Sequence, residues 1–268
     1  MKTYRNLKLI KGRETLGRRL SLVGLTILFI GLMASFVPNM YPPGETPPNA
    51  FGAFLQQYWT WISFVALPAG FIFASLGSYH VNRFARRRWP GGKSFDRPDE
   101  MLERNMKGFD DKYAYFAWSL PANYLIAGPF GVLIFSVRSD KGRVTVQGDR
   151  WREPFSFGRI FTVFAREGVG NPAREIDEQR RQLLALLAQA PAGENGAKLT
   201  DVPMDGAAVF LNPDILLDVD SPNVPALRGN QVKDYIRKRA KDVKMQPSTV
   251  RELTDYLASV ATYQEEAG

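Results

Sequence analysis

Two long runs without charge dominate the first third of the chain. The first run, residues 21–37, is SLVGLTILFIGLMASFV, and the second extends from about Phe51 to Tyr79. Both runs are apolar on every side, which is typical of helices surrounded by lipid and not of helices that cover a soluble core. Aromatic residues at the start of the second run indicate a membrane interface. We therefore predict a transmembrane helical hairpin over residues 21–81, with spans at about 21–37 and 53–79.

Short apolar segments with intervening turns replace these runs after residue 95. Several have the length and composition of strands, namely Tyr113–Trp118, Tyr124–Ala127, Val132–Val137, Arg143–Gln147 and Ala207–Leu211. Others show helical starts, namely Pro98–Lys107, the segment after Asn171-Pro172, the segment from Val232, and the segment after the capping box Thr249–Glu252. This mixture predicts an α/β domain.

Five segments follow from these patterns. A basic N-terminus (1–20) precedes the hairpin (21–81), and a basic linker (82–95) leads to the α/β domain (96–245) and a C-terminal helix (246–268).

Charge is distributed unevenly between these segments. The whole chain carries +8, but residues 1–94 hold twelve Lys/Arg and two Glu, a net charge of +10, and the rest of the chain carries −2. The loop 38–50 contains Glu45 and no Lys or Arg. The positive-inside rule therefore predicts a multi-pass plasma-membrane protein with both termini in the cytoplasm. The juxtamembrane Arg and Lys are expected to contact anionic lipids. The alternative is a cleaved signal peptide followed by one span.

Composition excludes several kinds of site. The chain has no cysteine and one histidine, His80. Disulfides, cysteine-ligated zinc and multi-histidine metal sites are therefore ruled out. A Ser/His/Asp triad would require His80, which lies at the end of the second apolar run.

Small residues recur at four-residue spacing inside both runs. They are Gly31 and Ser35 in the first run, and Gly70, Ala74 and Ser78 in the second. Such faces allow helices to pack closely. The contact is expected either within the hairpin or between copies in an oligomer.

Several motifs occur in order between residues 96 and 240. They are the acidic helix Asp99–Glu103, the strand Gly128-Pro129-Phe130-Gly131-Val132, the turn Lys141-Gly142, the segment Gly148–Trp151, the helix start Asn171–Glu175 and the strand Ala207–Phe210. In order and spacing these motifs resemble the nuclease-related domain called NERD. That family has a restriction-endonuclease-like fold, and its members are often fused to membrane segments.

The resemblance also implies where a catalytic site would lie. Related nucleases hold Mg²⁺ with an Asp and with the Glu of a Glu-x-Lys motif, and the Lys positions or activates water. The matching positions here are Asn123, Ser136 and Arg138. Asn and Ser supply no negative charge, and Arg is always protonated. We therefore expect a degenerate site with no catalytic residue and no cofactor.

Other residues are candidates for a relocated or binding role. Glu100, Asp140 and Lys141 would form a relocated Mg²⁺ nuclease site, although Ser-Asp-Lys-Gly is also typical of an exposed hairpin turn. Arg138 offers a bidentate phosphate contact. Arg150 and Trp151 would stack on a base, or Trp151 would simply pack inside the domain.

The sequence therefore favours a membrane-tethered, non-catalytic binding or scaffold module. The net charge of −2 in the soluble part favours a protein partner over nucleic acid, because the basic stretch Lys233–Lys244 is typical of a solvated helix face. A metal-dependent nuclease with relocated residues is the alternative. A transporter is less favoured, since the spans contain no charged residue.

Overall fold

The computed structural model describes residues 1–42, 44, 46–88, 94–139, 142–154, 168–191 and 198–264, with backbone alone at 87–88 and 94–95. The described chain forms two compact units. One contains Met1–Lys11 together with the described residues from Arg86 onward, and the other contains Gly12–Ala85.

The second unit is a helical hairpin. Helix α1 (Leu7–Ser35) starts in the first unit, a short helix α2 (Val37–Met40) follows, and α3 (Ala50–Phe84) returns. Asn49 caps α3, since its side chain accepts a hydrogen bond from the backbone N–H of Gly52 at 2.8 Å. The spans Leu7–Met40 and Ala50–Phe84 are both long and apolar enough to cross a membrane. They exceed the predicted spans because each helix continues into polar sequence.

Glycines at seven-residue spacing join α1 to α3. A Cβ added at Gly24 would lie 2.7 Å from the carbonyl oxygen of Gly70, and one added at Gly17 would lie 3.1 Å from that of Gly77. Seven residues beyond Gly24 on α1, the carbonyl oxygen of Gly31 accepts a hydrogen bond from the hydroxyl of Ser63 on α3 at 3.1 Å. A seven-residue repeat keeps one helix face against its partner. The expected close packing therefore occurs within the hairpin, and its period is seven instead of four.

A six-stranded mixed sheet forms the centre of the first unit. Its strands are β1 (Lys2–Arg5), β4 (Ala114–Ala117), β5 (Tyr124–Gly128), β6 (Gly131–Arg138), β9 (Met204–Phe210) and β11 (Ala226–Arg228), in this spatial order. Strands β4, β5 and β6 form an antiparallel meander. Gly131, with φ +95°, closes the turn between β5 and β6. The pairs β1–β4, β6–β9 and β9–β11 are parallel.

Helices cover both faces of this sheet. Helices α4 (Pro98–Asn105) and α6 (Val232–Asp242) pack on one face, which includes Tyr115. Helices α5 (Pro172–Leu187) and α7 (Pro247–Val260) pack on the face that includes Phe116. Adjacent strand residues point to opposite faces, so every strand of the meander is buried on both sides.

Two smaller sheets complete the unit. Strands β10 (Leu216–Asp220), β7 (Arg143–Gln147) and β8 (Arg150–Arg152) form the first, in that order. This sheet encloses a third apolar cluster with Trp151 and Phe210. Strands β2 (Arg87–Arg88) and β3 (Ser94–Phe95) form a short antiparallel pair inside the segment predicted as a linker.

The N-terminal residues belong to the sheet, in contrast to the separate basic segment 1–20 of the sequence interpretation. Lys2–Arg5 pairs in parallel with Ala114–Ala117 at the sheet edge. The first unit therefore draws on chain from both sides of the hairpin. A smaller difference concerns α7, which begins at Pro247 after Gln246 and not at the expected capping box from Thr249.

Candidate functional site

The three positions that match the nuclease motif lie at the ends of neighbouring strands. Asn123 immediately precedes β5, while Ser136 and Arg138 lie at the end of β6. Ser136 and Arg138 are two residues apart, so their side chains share one face of the sheet. Both are buried, with 0% and 6% of their surface exposed. The three predicted residues are therefore brought together.

A carboxylate from helix α5 lies at the centre of this group. The hydroxyl of Ser136 donates to Oε2 of Glu175 at 2.8 Å, and Nη2 of Arg138 donates to the same oxygen at 2.8 Å. Nδ2 of Asn123 lies 3.5 Å from Oε1, which also accepts from Nε2 of Gln179 at 3.1 Å. We call these five residues the Glu175 cluster.

Local sequence explains why Glu175 points into the cluster. The side chain of Asn171 caps α5 by accepting from the backbone N–H of Arg174, and Pro172 occupies the first helical turn. This start places Glu175 in the first turn, where the helix dipole stabilises a negative charge. Gln179, four residues on, shares its helix face.

The cluster ties three elements together. The side-chain oxygen of Gln179 accepts from the backbone N–H of Asn123 at 3.0 Å, which joins α5 to β5. Arg138 adds bonds from Nε to the carbonyl oxygen of Val169 at 3.2 Å and from Nη1 to that of Val137 at 3.0 Å. Its guanidinium is thus held on several sides.

This arrangement differs chemically from a two-carboxylate metal site. Asn123 and Ser136 donate hydrogen bonds here. A metal site instead needs oxygen atoms that donate lone pairs to the cation. A positive charge lies beside Glu175 in the guanidinium of Arg138, with 7% of its side chain exposed. The geometry suits a structural ion pair within the domain.

Glu100, the described member of the proposed relocated site, does not join this cluster. Glu100 is on α4, which covers the opposite sheet face from α5. There Glu100 contacts Arg86 and Arg97. Burial raises the pKa of Glu100, but hydrogen bonds from Arg86 and the Arg97 backbone, with both guanidinium charges, outweigh burial and lower it overall. Asp140 and Lys141 lie outside the described residues.

Arg150 and Trp151 occupy different environments. Arg150 is exposed on β8, whereas Trp151 is 8% exposed and stacks on Phe210 with ring centroids 6.2 Å apart. Trp151 therefore packs inside the domain and offers no free face to a base.

Sequence reasoning missed the roles of Glu175 and Gln179. Glu175 enters the sequence interpretation only as the last residue of the helix start Asn171–Glu175. The usable signal was their four-residue spacing on a helix whose cap fixes its first turn.

No family model, no curated protein and no solved structure matches this chain.

Proposed function

We propose that this protein is a membrane-anchored, non-catalytic binding or scaffold module whose folded unit lies at the cytoplasmic face of the plasma membrane. The two apolar helices supply the anchor, because large apolar side chains such as Leu22, Phe29 and Phe64 are exposed along them. A lipid environment would cover such surfaces.

The architecture of the first unit supports a hairpin with both ends on one side. Strand β1 precedes α1, and its partner β4 follows α3. Paired strands must lie in the same compartment, so the chain crosses the membrane an even number of times. The basic residues at both ends of the hairpin support the cytoplasm as that compartment, and they would contact anionic lipid there.

The order of elements supports a restriction-endonuclease-like core of the NERD type. In chain order, the described motifs that carry the resemblance lie on α4, at the turn between β5 and β6, at the turn between β7 and β8, at the start of α5 and on β9. Here α4 is followed by the meander β4–β5–β6, the crossover helix α5 and the parallel strand β9. The positions of Asn123, Ser136 and Arg138 at strand ends agree with this assignment.

The Glu175 cluster is the observation that carries the non-catalytic proposal. A dication at this place would have to displace the Arg138 guanidinium from Oε2 of Glu175, 2.8 Å away, and would gain one carboxylate. The buried guanidinium would also repel the ion at close range. The net charge of −2 after residue 94 favours a protein partner over nucleic acid.

A nuclease assay tests this proposal. The full-length protein in detergent, incubated with DNA or RNA and Mg²⁺ or Mn²⁺, is expected to show no hydrolysis. Glu100→Ala and Asp140→Ala are assayed beside it, with Glu252→Ala on α7 as a control carboxylate. Metal-dependent cleavage that Glu100→Ala or Asp140→Ala abolishes, while Glu252→Ala retains it, would refute the proposal and establish the relocated nuclease site.

Cysteine labelling tests the topology. The native chain has no cysteine, so single cysteines at Thr46 and Ser248 give unambiguous signals. A membrane-impermeant maleimide added to intact cells is expected to label position 46, and to label position 248 only after permeabilisation. Labelling of both positions in intact cells would overturn the cytoplasmic assignment.

A further inference from the structure

A pocket of about 320 Å³ lies at one edge of the main sheet and is lined by residues of α4, whereas the Glu175 cluster is on the opposite face with α5. Strands β6, β9 and β11 run parallel, and their last paired residues, Arg138, Phe210 and Arg228, lie side by side in one row. The pocket opens beyond the carboxyl ends of β9 and β11. In open α/β sheets, ligands bind preferentially at this edge.

The lining of the pocket is basic. Its charged side chains are Arg104 and Arg228, and no carboxylate contributes to the lining in the part of the chain that the structure describes. Arg228 is exposed and forms no ion pair with another described residue. Arg104 contacts Asp96 and is 67% exposed, so it retains further N–H donors. The electrostatic character of this pocket therefore fits an anion.

A short backbone turn forms one wall of the pocket. This 3₁₀ turn, Gly229–Gln231, follows Arg228 and continues directly into α6. A Cβ at Gly229 would lie 2.6 Å from Nδ2 of Asn105 and 3.3 Å from Cδ2 of Leu211, so the turn lies close to α4 and contributes to the pocket wall.

The remaining lining suits a flat group with polar edges. Asn105 and Asn230 present side-chain amides, each with a donor and an acceptor. Asn212 is engaged already, since its Oδ1 accepts from the backbone N–H of Asp214 at 2.9 Å. Met101 and Pro213 add apolar surface. Amides beside apolar surface match the edge and faces of a nucleobase.

We propose that this pocket binds a nucleoside monophosphate. The phosphate lies between Arg104 and Arg228. The base lies against Met101 and Pro213, where the amides of Asn105 and Asn230 reach its edge. A guanidinium binds phosphate oxygens bidentately, so Arg228 is the main contributor to affinity.

Equilibrium dialysis of the full-length protein in detergent tests the proposal. AMP, GMP, CMP and UMP are compared with inorganic phosphate and with adenosine. At least one nucleotide is expected to bind more tightly than phosphate and adenosine, and more weakly as salt is raised. Arg228→Gln is expected to weaken that binding about tenfold or more, since a charge-assisted bond is lost. Asn230→Ala is expected to change the preference among the four nucleotides.

Arg251→Gln on α7 is the matched control, because Arg251 is also exposed but does not line the pocket. It is expected to leave binding unchanged, and both variants are expected to keep the wild-type unfolding temperature. Absence of nucleotide binding at millimolar concentration overturns the proposal. So does equal weakening by both arginine variants, equal affinity for adenosine and AMP, or equal affinity for phosphate and every nucleotide.

Discussion

Arg5, the last residue of β1, forms an ion pair with the buried carboxylate of Asp99 on α4, with 3.1 Å between Nε and Oδ2. Asp99 has 1% of its side chain exposed and also pairs with Arg97, whose Nε lies 3.1 Å from Oδ1. Arg5 precedes the hairpin in the chain and Asp99 follows it. This pair therefore closes the folded unit around two segments that are more than ninety residues apart.

Loss of Arg5 is expected to destabilise the unit in a pH-dependent manner. Arg5→Gln leaves Asp99 with one cationic partner, and breaking a buried pair costs about 3 kcal/mol near pH 7. Burial raises the pKa of Asp99, while Arg97 and then Arg5 lower it, so the variant should raise this pKa further. A carboxyl group whose pKa is higher in the folded state stabilises that state at pH values below its unfolded pKa of about 3.9. This stabilisation is lost as the pH rises through the folded pKa.

The loss of folding free energy caused by Arg5→Gln should therefore be largest at neutral pH. It should become smaller as the pH falls below the pKa of Asp99. Unfolding temperatures of the full-length protein between pH 3 and pH 7 measure this. Arg18→Gln, which removes an exposed partner of Glu14, is the control and should have a small effect at every pH. A constant destabilisation by Arg5→Gln over this range would contradict the assignment.

Excision of the hairpin is expected to depend on strand β1. The apolar pattern alone predicts that residues 95–268 fold independently. The structure adds that such a chain lacks β1, which exposes the edge of β4 and removes the Arg5 guanidinium from Asp99. A chain that joins residues 1–6 to 86–268 through a Gly/Ser linker should therefore unfold roughly 5 °C or more above the shorter chain.

Calorimetry without detergent compares the two excised chains. The linked chain with Arg5→Gln should unfold between them, because it retains the backbone pairing of β1 but not the ion pair. Equal unfolding temperatures for the linked and shorter chains would mean that β1 contributes nothing to stability.

The Arg138–Glu175 pair is expected to show strong energetic coupling. Glu175→Leu leaves a buried guanidinium beside apolar surface, and Arg138→Leu removes that guanidinium from the carboxylate of Glu175. Each change should cost about 3 kcal/mol. The double variant should cost less than the two together by more than about 1 kcal/mol, because it leaves neither charge unpaired.

Denaturant unfolding of the four proteins gives the coupling directly. Arg150→Leu combined with Glu175→Leu is the control, since Arg150 is exposed and outside the cluster; these two changes should be additive. Additive effects for Arg138 and Glu175 would show that the pair is not an energetic unit.

Close packing of the hairpin is expected to fail when Gly24 gains a side chain. Gly24→Val places carbon atoms where the backbone of α3 lies, since even a Cβ would be 2.7 Å from the carbonyl oxygen of Gly70. Overpacking of this kind costs about 1–3 kcal/mol. Gly12→Ala is the control, because no atom lies within 4 Å of its Cβ position. That change should be neutral or stabilising by about 1 kcal/mol through helix propensity.

Disulfide formation reports this packing. Cysteines introduced at Gly31 and Ala66, whose Cβ positions lie 3.0 Å apart across the hairpin, should cross-link readily in the otherwise cysteine-free chain. The added Gly24→Val should slow the reaction, and the added Gly12→Ala should not. Equal rates with both would contradict close packing at Gly24.

The sequence determined the features that depend on neighbouring residues. The two long apolar helices follow from uninterrupted apolar sequence. Strand β6 and helix α5 follow from local apolar periodicity and from the cap at Asn171. These signals are local because they reflect side-chain periodicity and the first turn of a helix. The mixed α/β character of the domain could be predicted for the same reason.

Tertiary structure alone decided which distant segments meet. The four residues of β1 contain no signal that they pair with Ala114–Ala117, because the hydrogen bonds that define a parallel edge strand join segments far apart in the chain. The sequence brought Asn123, Ser136 and Arg138 into one hypothesis by their likeness to a motif. These three residues share the carboxylate of Glu175 because of the way α5 crosses the sheet. Packing of the whole core sets this crossing.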